Sequence, residues 1–405
     1  MNNEAMNVGP IGSNPWRGPL VLLTLAHVMG TVGYVSVMAM APVIREDLML
    51  NATQVGSFMS AFYFALALSA LPSGTVVDRT GVGWALVISM VLLALGAAGF
   101  AMADSYIAGV ASTFVMGLGY GLVNPATAKG VLDWFKPEHR ATAMGVKQTG
   151  VPIGGLLASA SAAVVVVAPW RGVLWAFAAA TLLLGLVWWR HAENPRGRRP
   201  GGLPAMLMDI RTVAVNRGVA AMNGAGLCFN GAQQSMTTYL TLFLRDVAGS
   251  SQPFAGFCLG VAQVTGAAGR ILWSIASDRV TRGRRKGVMV MMMSGGVVTC
   301  TLAAMVGEAW PAVVLVALAA GAGATILAYA PLLHTVCAEA VKPELAGAAI
   351  GSNLLATSVG GTVGPLVFGA IVDATGGYTA AWIVAGAVIG IGVLITAFGL
   401  REPAS

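Results

Sequence analysis

The sequence predicts an all-α membrane protein: twelve transmembrane helices in two pseudo-symmetric six-helix bundles, with both termini cytoplasmic. Three observations predict it. Of 405 residues, 57% are hydrophobic and 10% charged, whereas a soluble domain carries about 25% charge, so lipid is the solvent for most of the surface. Apolar runs of about 20 residues, the length that crosses a bilayer, recur along the chain. The second half also repeats landmarks of the first, because Asp78 follows Arg45 by 33 residues and Asp278 follows Arg245 by 33.

The spans read, in order, 18–44, 54–77, 82–103, 106–134, 140–167, 170–190, 218–244, 253–277, 287–307, 311–338, 346–372 and 379–400. Span 1 follows a polar stretch whose only charges are Glu4 and Arg17. That stretch lacks a cationic segment ahead of a short apolar core, so no cleaved signal is expected and span 1 is retained. Arg45 closes span 1, and VVDRTG (76–81) turns span 2 into span 3. KPEHR (136–140) separates spans 4 and 5, and Arg171 opens span 6. A basic connection with Pro and Gly, beginning RHAENPRGRRPGGLP (190–204) and running to Arg217, reads as a cytoplasmic linker. Arg245 ends span 7, and ASDRVT (276–281) begins the basic stretch to Lys286 before span 9. Lys342 separates spans 10 and 11, and Arg401 follows span 12. The expected domains are therefore an N-terminal bundle (1–190), a linker (191–217) and a C-terminal bundle (218–405).

Orientation follows from Lys and Arg, which favour cytoplasmic loops. With the N-terminus inside, seventeen of the 23 basic residues face the cytoplasm and only Arg45, Arg171 and Arg245 face out. VVDRTG matches ASDRVT at an offset of 200, and KPEHRATAMG (136–145) matches KPELAGAAIG (342–351) at an offset of 206. Two matched loops in the same topological position indicate a duplicated transporter architecture.

Composition also excludes functions. The net charge of +7 lies in short loops between apolar spans, so no nucleic-acid partner is expected. Cys228, Cys258, Cys300 and Cys337 form no CxxC pair and read as small packing residues. No HExxH, GxSxG or metal cluster is present and the four histidines are scattered, so neither an enzyme nor a cofactor is expected.

Three cations lie within spans: Lys129, Lys147 and Arg270. Arg270 stands eight residues before Asp278, about 12 Å inside span 8. A charge at the bilayer centre costs at least about 2.5–3.5 kcal/mol. Lys147 lies seven residues inside from Arg140, at matching depth on span 5. No Asp or Glu lies as deep, so the site calls for an external anion. Arginine suits a carboxylate because its planar fork gives two parallel hydrogen bonds. Other readings stay open. Arg270 can bond backbone carbonyls at a helix break near Gly266 and Gly269, and Lys147 can reach the cytoplasmic boundary. Lys129, seven residues from Lys136, reads as snorkelling to that boundary.

The segment Gly74 to Gly81, containing Asp78 and Arg79, resembles the GxxxDRxG loop of the major facilitator superfamily, and a degenerate copy ends in Asp278 and Arg279. With the spans and the repeat, the resemblance covers nearly the whole chain. It implies alternating access, with this loop as a cytoplasmic latch. Asp78 is expected to accept N–H bonds at a helix N-terminus, and Arg79 to cap carbonyls or bind lipid headgroups. The family's usual basic continuation is replaced by Val82 and Gly83, and Asp133 is the candidate acid at the end of span 4. In the superfamily spans 5 and 8 adjoin, and spans 1, 4, 7 and 10 line the cavity. That places Lys147 and Arg270 at the cavity with His27, Tyr34, Tyr120, Asn124, Thr127, Asn223, Asn230, Gln233, Gln234 and Tyr329, and Asn353 of span 11 as the repeat partner of Lys147.

A narrower resemblance is to the monocarboxylate transporter and oxalate–formate exchanger branch. It implies that Arg270 binds the substrate carboxylate with help from Asn124, Tyr120 and Tyr329. The chain departs from that branch at Met38, Gly266 and Asn353, where members carry a lysine, an acid and a second cation. Proton coupling falls to His27, His334 or Lys147. The expectation is a monomeric, multi-pass inner-membrane symporter whose partners are a small carboxylate, protons and membrane lipid. The alternatives are an anion exchanger and a drug or metabolite efflux antiporter.

Overall fold

Local sequence sets most helix starts. Pro19, whose fixed φ suits a first turn, opens α1 (Pro19–Ala39). The short α2 (Ala41–Asp47) follows. Asn51 and Gln54 form a reciprocal capping box at the start of α3 (Ala52–Ala101). The Ser105 side chain caps α4 (Tyr106–Trp134). Next come α5 (Pro137–Gln148), α6 (Gly150–Val164) and α7 (Trp170–Arg190). In the second half Asn216 caps α8 (Arg217–Asp246) and Ser251 caps α9 (Gln252–Ile275). The remainder are α10 (Arg285–Ala304), α11 (Ala312–Ile326), α12 (Ala330–Glu339), α13 (Ala346–Thr375) and α14 (Thr379–Gly399). The computed structural model describes residues 14–192, 211–280, 285–308, 310–342 and 345–400. Most of the expected linker (193–210) lies outside the described residues.

Helix covers each of the predicted ranges. Among the described residues, nine helical stretches are long and apolar enough to cross a membrane. Predicted spans 2, 5 and 7 fall outside that set. Span 2 is rich in Ser and contains Pro72, span 5 is split at Thr149 into helices of 12 and 15 residues, and span 7 carries Asn223, Asn230, Gln233 and Gln234.

The expected turn at 76–81 is largely helical. Only Gly81 breaks α3, with φ 81° and ψ 168°. A side chain there meets a backbone region that is essentially Gly-only, at a cost of about 1–3 kcal/mol. Gly81→Ala is expected to lower the thermal midpoint of the purified protein. Gly74→Ala is its control and should not lower it, because nothing lies within 4 Å of the added Cβ.

Within the first half α3 packs on α4 and α7, and α1 on α6. In the second half α8 packs on α13 and α14, α9 on α11, and α10 on α14. Two seams join the halves: α3 against α13, and α6 against α9.

The two ends of the molecule differ. At the Arg45 end the halves are tied together. Arg45 donates to both carboxylate oxygens of Asp246 at 2.6 and 2.8 Å, and the repeat-related Arg245 meets Glu46 at 3.2 Å. Asp373 accepts from the amides of Ala52 and Thr53 at 2.9 and 2.8 Å, capping α3 from the other half. Thr241 donates to the Met38 carbonyl and Gln252 to the Ala39 carbonyl. On the same end Arg171 holds the Asp47 carboxyl below the usual carboxylate range. That pairing therefore stabilises the fold at neutral pH and is lost as pH falls through the lowered pKa.

At the Asp78 end, two ion clusters among the described residues each lie within one half. Lys129 lies 3.8 Å from Asp78 and 3.4 Å from Asp133. Arg285 joins Asp278 at 3.1 Å and Glu339 at 2.7 Å. Asp78 thus takes a lysine of α4 rather than a helix N-terminus. Lys129 does reach the boundary, and it finds two acids there. Arg79 and Arg279 are exposed.

Candidate functional site

Arg270 is positioned by a proline on another helix. Pro331 has no N–H, so it cannot bond the carbonyl four residues back, at Leu327. The chain breaks between α11 and α12 at that place, and Arg270 Nε donates to the orphaned Leu327 carbonyl at 3.1 Å. The expectation of a carbonyl contact at a helix break is thus met, on span 10 rather than span 8. Gly266 and Gly269 serve a different purpose: they let α9 approach Leu327, Ala324 and Ala328 closely.

One edge of the guanidinium is therefore used. Among the described residues, no hydrogen bond engages its two terminal nitrogens, and the side chain is only partly buried. The group lies within electrostatic reach of Tyr34, Tyr63 and Tyr120 of the first half and of Tyr329 and His334 of the second. These tyrosines are held in place. Tyr34 stacks on Phe62 at 4.1 Å and meets Tyr120 edge-on at 5.9 Å. Tyr329, presented at the break between α11 and α12, donates to Asn230 Oδ1 at 3.2 Å. Asn230 is itself fixed, because it accepts from Gln234 at 3.0 Å and donates to the Thr357 carbonyl at 2.7 Å.

Tyr63 was not among the sequence candidates. It lies on span 2, which the cavity-lining pattern omits, yet its ring sits against Gly361 of α13, where an added Cβ would come within 2.6 Å. Its signal was present in the sequence as a polar-tipped aromatic in an otherwise apolar run.

Lys147 belongs to a second cluster. Only 1% of it is exposed, so it does not snorkel to the boundary. Its Nζ lies 2.9 Å from Asn124 Oδ1, 3.0 Å from Thr127 Oγ1 and 3.5 Å from His27 Nε2. Asn124 and Thr127 accept from the amine, and His27 Nε2 accepts only in the tautomer protonated on Nδ1. No carboxylate stands among these three, so a charge on the amine is solvated without being cancelled. His27 Nε2 also lies 2.9 Å from Thr127 Oγ1, and its buried Nδ1 has no partner.

The structure therefore divides the sequence candidates. Tyr34, Tyr120, Tyr329 and His334 lie within electrostatic reach of Arg270. Asn124 and His27 gather about Lys147, so Asn124 is not a partner of Arg270. Asn353 points its amide at helix α8, donating to the Met222 carbonyl at 3.0 Å and Asn223 Oδ1 at 3.2 Å. It serves as interhelical glue there. Gly74, Asp78, Arg79, Gly81, Asp278 and Arg279, expected as a latch, lie apart at the Asp78 end. Among the described residues no group of His, Cys, Asp and Glu could hold a metal ion.

Comparison with known proteins agrees with this architecture. The chain is 24% identical to the hexuronate transporter of Bacillus subtilis, over 91% of each chain. It is 25% identical to the probable L-galactonate transporter of Escherichia coli, over 95% of this chain and 89% of the relative. It is 21% identical to a probable sulfoacetate transporter of Cupriavidus necator, over 94% of this chain and 92% of the relative. Among solved structures, a bacterial homologue of the human lysosomal transporter Spinster, inward-facing and occupied, matches with TM-score 0.79 at 17% identity, over 97% of this chain and all of that one. A nucleoside transporter matches with TM-score 0.79 at 14% identity, over 94% of this chain and all of that one. The family model described as the Major Facilitator Superfamily matches residues 22–282 and 251–405. The chain is thus an integral, multi-pass membrane protein and not an enzyme, and it belongs to the Major Facilitator Superfamily.

Proposed function

We propose that the protein is a secondary active transporter of small organic anions bearing one carboxylate. One observation carries this reading: among the described residues, the terminal nitrogens of Arg270 have no hydrogen-bonded partner, within electrostatic reach of tyrosines contributed by both halves. A carboxylate takes those two nitrogens in a bidentate pair. Hexuronate and L-galactonate, named for two of the relatives, suit the same arrangement. Hexuronates and galactonate carry one carboxylate and several hydroxyls, and the hydroxyls match Tyr34, Tyr63, Tyr120 and Tyr329. The monocarboxylate class therefore extends to polyhydroxylated monocarboxylates.

The working cycle is alternating access by twelve spans in the inner membrane, with both termini cytoplasmic and the chain acting as a monomer. The Arg45 end is then the outside, and the ties across it describe a carrier closed to the outside. Transport is proton-coupled symport. Lys147 with His27 in one half, or His334 beside Arg270 in the other, carries the proton.

The test is thermal stabilisation of purified protein by lactate, D-glucuronate, D-galactonate, sulfoacetate and cationic drugs, with wild type and Arg270→Ala side by side. One subset of carboxylates is expected to stabilise the wild type and not the variant. If carboxylates do nothing and cationic drugs stabilise both proteins equally, the anion reading fails and the efflux antiporter takes its place.

A further inference from the structure

The α6/α9 seam has a regular antiparallel register. An added Cβ on Gly256 would meet Ala162 at 2.3 Å, and one on Gly155 would meet Gln263 at 2.6 Å. Seven residues along one helix thus match seven along the other. Continuing toward the Asp78 end, eight residues from Gly155 reach Lys147, and seven from Gln263 reach Arg270. At 1.5 Å per residue both lie about 11 Å beyond the last close contact. The two cations occupy equivalent levels on predicted spans 5 and 8, which belong to opposite halves.

In this structure they are kept apart. Lys147 turns to α1 and α4, with Asn124, Thr127 and His27 around it. Arg270 turns to α11 and α12 through Leu327. Pro152 lies just past Lys147, and its missing N–H leaves the Gln148 carbonyl without its helical donor. The helix is interrupted there, at Thr149, between α5 and α6. The lower part of this predicted span can therefore bend independently of the packed upper part.

We propose that closing the Asp78 end extends this seam and brings Lys147 and Arg270 together, so that one bound carboxylate between them is the counterion that closure requires. The completed site is formed by both halves, and it takes a single carboxylate bridged by an ammonium and a guanidinium. An empty carrier with both groups charged is held open, because two desolvated like charges repel without an anion. Loss of the Lys147 proton removes the same barrier. This inference rests on the carboxylate reading for its ligand, but the charge barrier it assigns is independent of the ligand.

The experiment measures the distance between spin labels at Met144→Cys and Ser274→Cys, which face each other in the continued register. The four native cysteines are buried. The full-length protein is reconstituted with and without D-galactonate. Wild type is expected to show a long distance when empty and a shorter one with galactonate. Lys147→Met, which keeps length and removes charge, is expected to populate the short distance without galactonate, at least about tenfold more than wild type. Arg270→Met should do the same. Lys147→Arg, which keeps the charge, should stay open when empty.

If Lys147→Met remains as open as wild type in the absence of anion, the charge barrier is wrong. That result leaves the carboxylate reading standing wherever galactonate still stabilises wild type and not Arg270→Ala. If galactonate fails to bind but Lys147→Met closes spontaneously, the charge barrier stands and the carboxylate reading falls.

Discussion

Arg270→Lys is expected to weaken carboxylate binding by about 30-fold or more while preserving the positive charge. Truncating one side of a buried, hydrogen-bonded charge pair costs about 2–5 kcal/mol, and each 1.4 kcal/mol is about tenfold in affinity. Lysine loses two things at once. It has no planar fork for the carboxylate. It also lacks the separate Nε donor that holds the Leu327 carbonyl. A lysine that turned to bond Leu327 would point its single ammonium away from Tyr34 and Tyr120. Galactonate titration by thermal shift, beside uptake into proteoliposomes, checks this. Retention of wild-type affinity in Arg270→Lys would mean that bulk positive charge suffices and that the fork is not the recognition element. A further control is Pro331→Ala. It restores a donor for Leu327 within the helix, so it should release Arg270 Nε and weaken binding without removing any charge.

The second large effect is expected at the Arg45 end. An added Cβ on Gly56 would come within 2.2 Å of the Tyr239 hydroxyl and 2.4 Å of the Pro365 carbonyl. That hydroxyl lies 2.7 Å from the Ala52 carbonyl and 3.0 Å from the Pro365 carbonyl, so it stitches α8 to α3 and α13. Gly56→Val overfills this contact, and overpacking costs about 1–3 kcal/mol. The cost falls only on the conformer in which this end is closed. A difference of that size shifts a two-state equilibrium by about 5- to 150-fold. The variant should therefore favour opening at the Arg45 end. Alkylation of a cysteine placed at Met38, a position only 1% exposed here, should accelerate correspondingly. Unchanged alkylation with a lowered thermal midpoint would mean that the contact is part of the static core and not of a gate.

Much of the fold was legible in the sequence. Hydropathy located a helix at every predicted range, because burial in lipid selects apolar side chains all along a span. The duplication was legible too. Arg45 and Arg245 recur at the same distance before the loop acids, and the structure uses them as a reciprocal pair with Asp246 and Glu46. The turn at 76–81 was not legible as it stands. Gly81 alone breaks the helix, and φ at a single glycine leaves no hydropathy signal.

The site was legible only in part. Depth along a helix is a one-dimensional quantity, so the sequence by itself set how many residues separate Lys147 and Arg270 from the loop charges Arg140 and Asp278. It also named Tyr34, Tyr120 and Tyr329, which lie within electrostatic reach of Arg270. What only the tertiary structure decided is which partner each group takes. Asn124 went to Lys147, Asn353 to α8, and Arg270 to a carbonyl that a proline 61 residues further along had left free. Those choices depend on how far each helix is rotated about its axis and where it crosses its neighbours. Both are settled by packing between segments far apart in the chain, and local periodicity does not encode them.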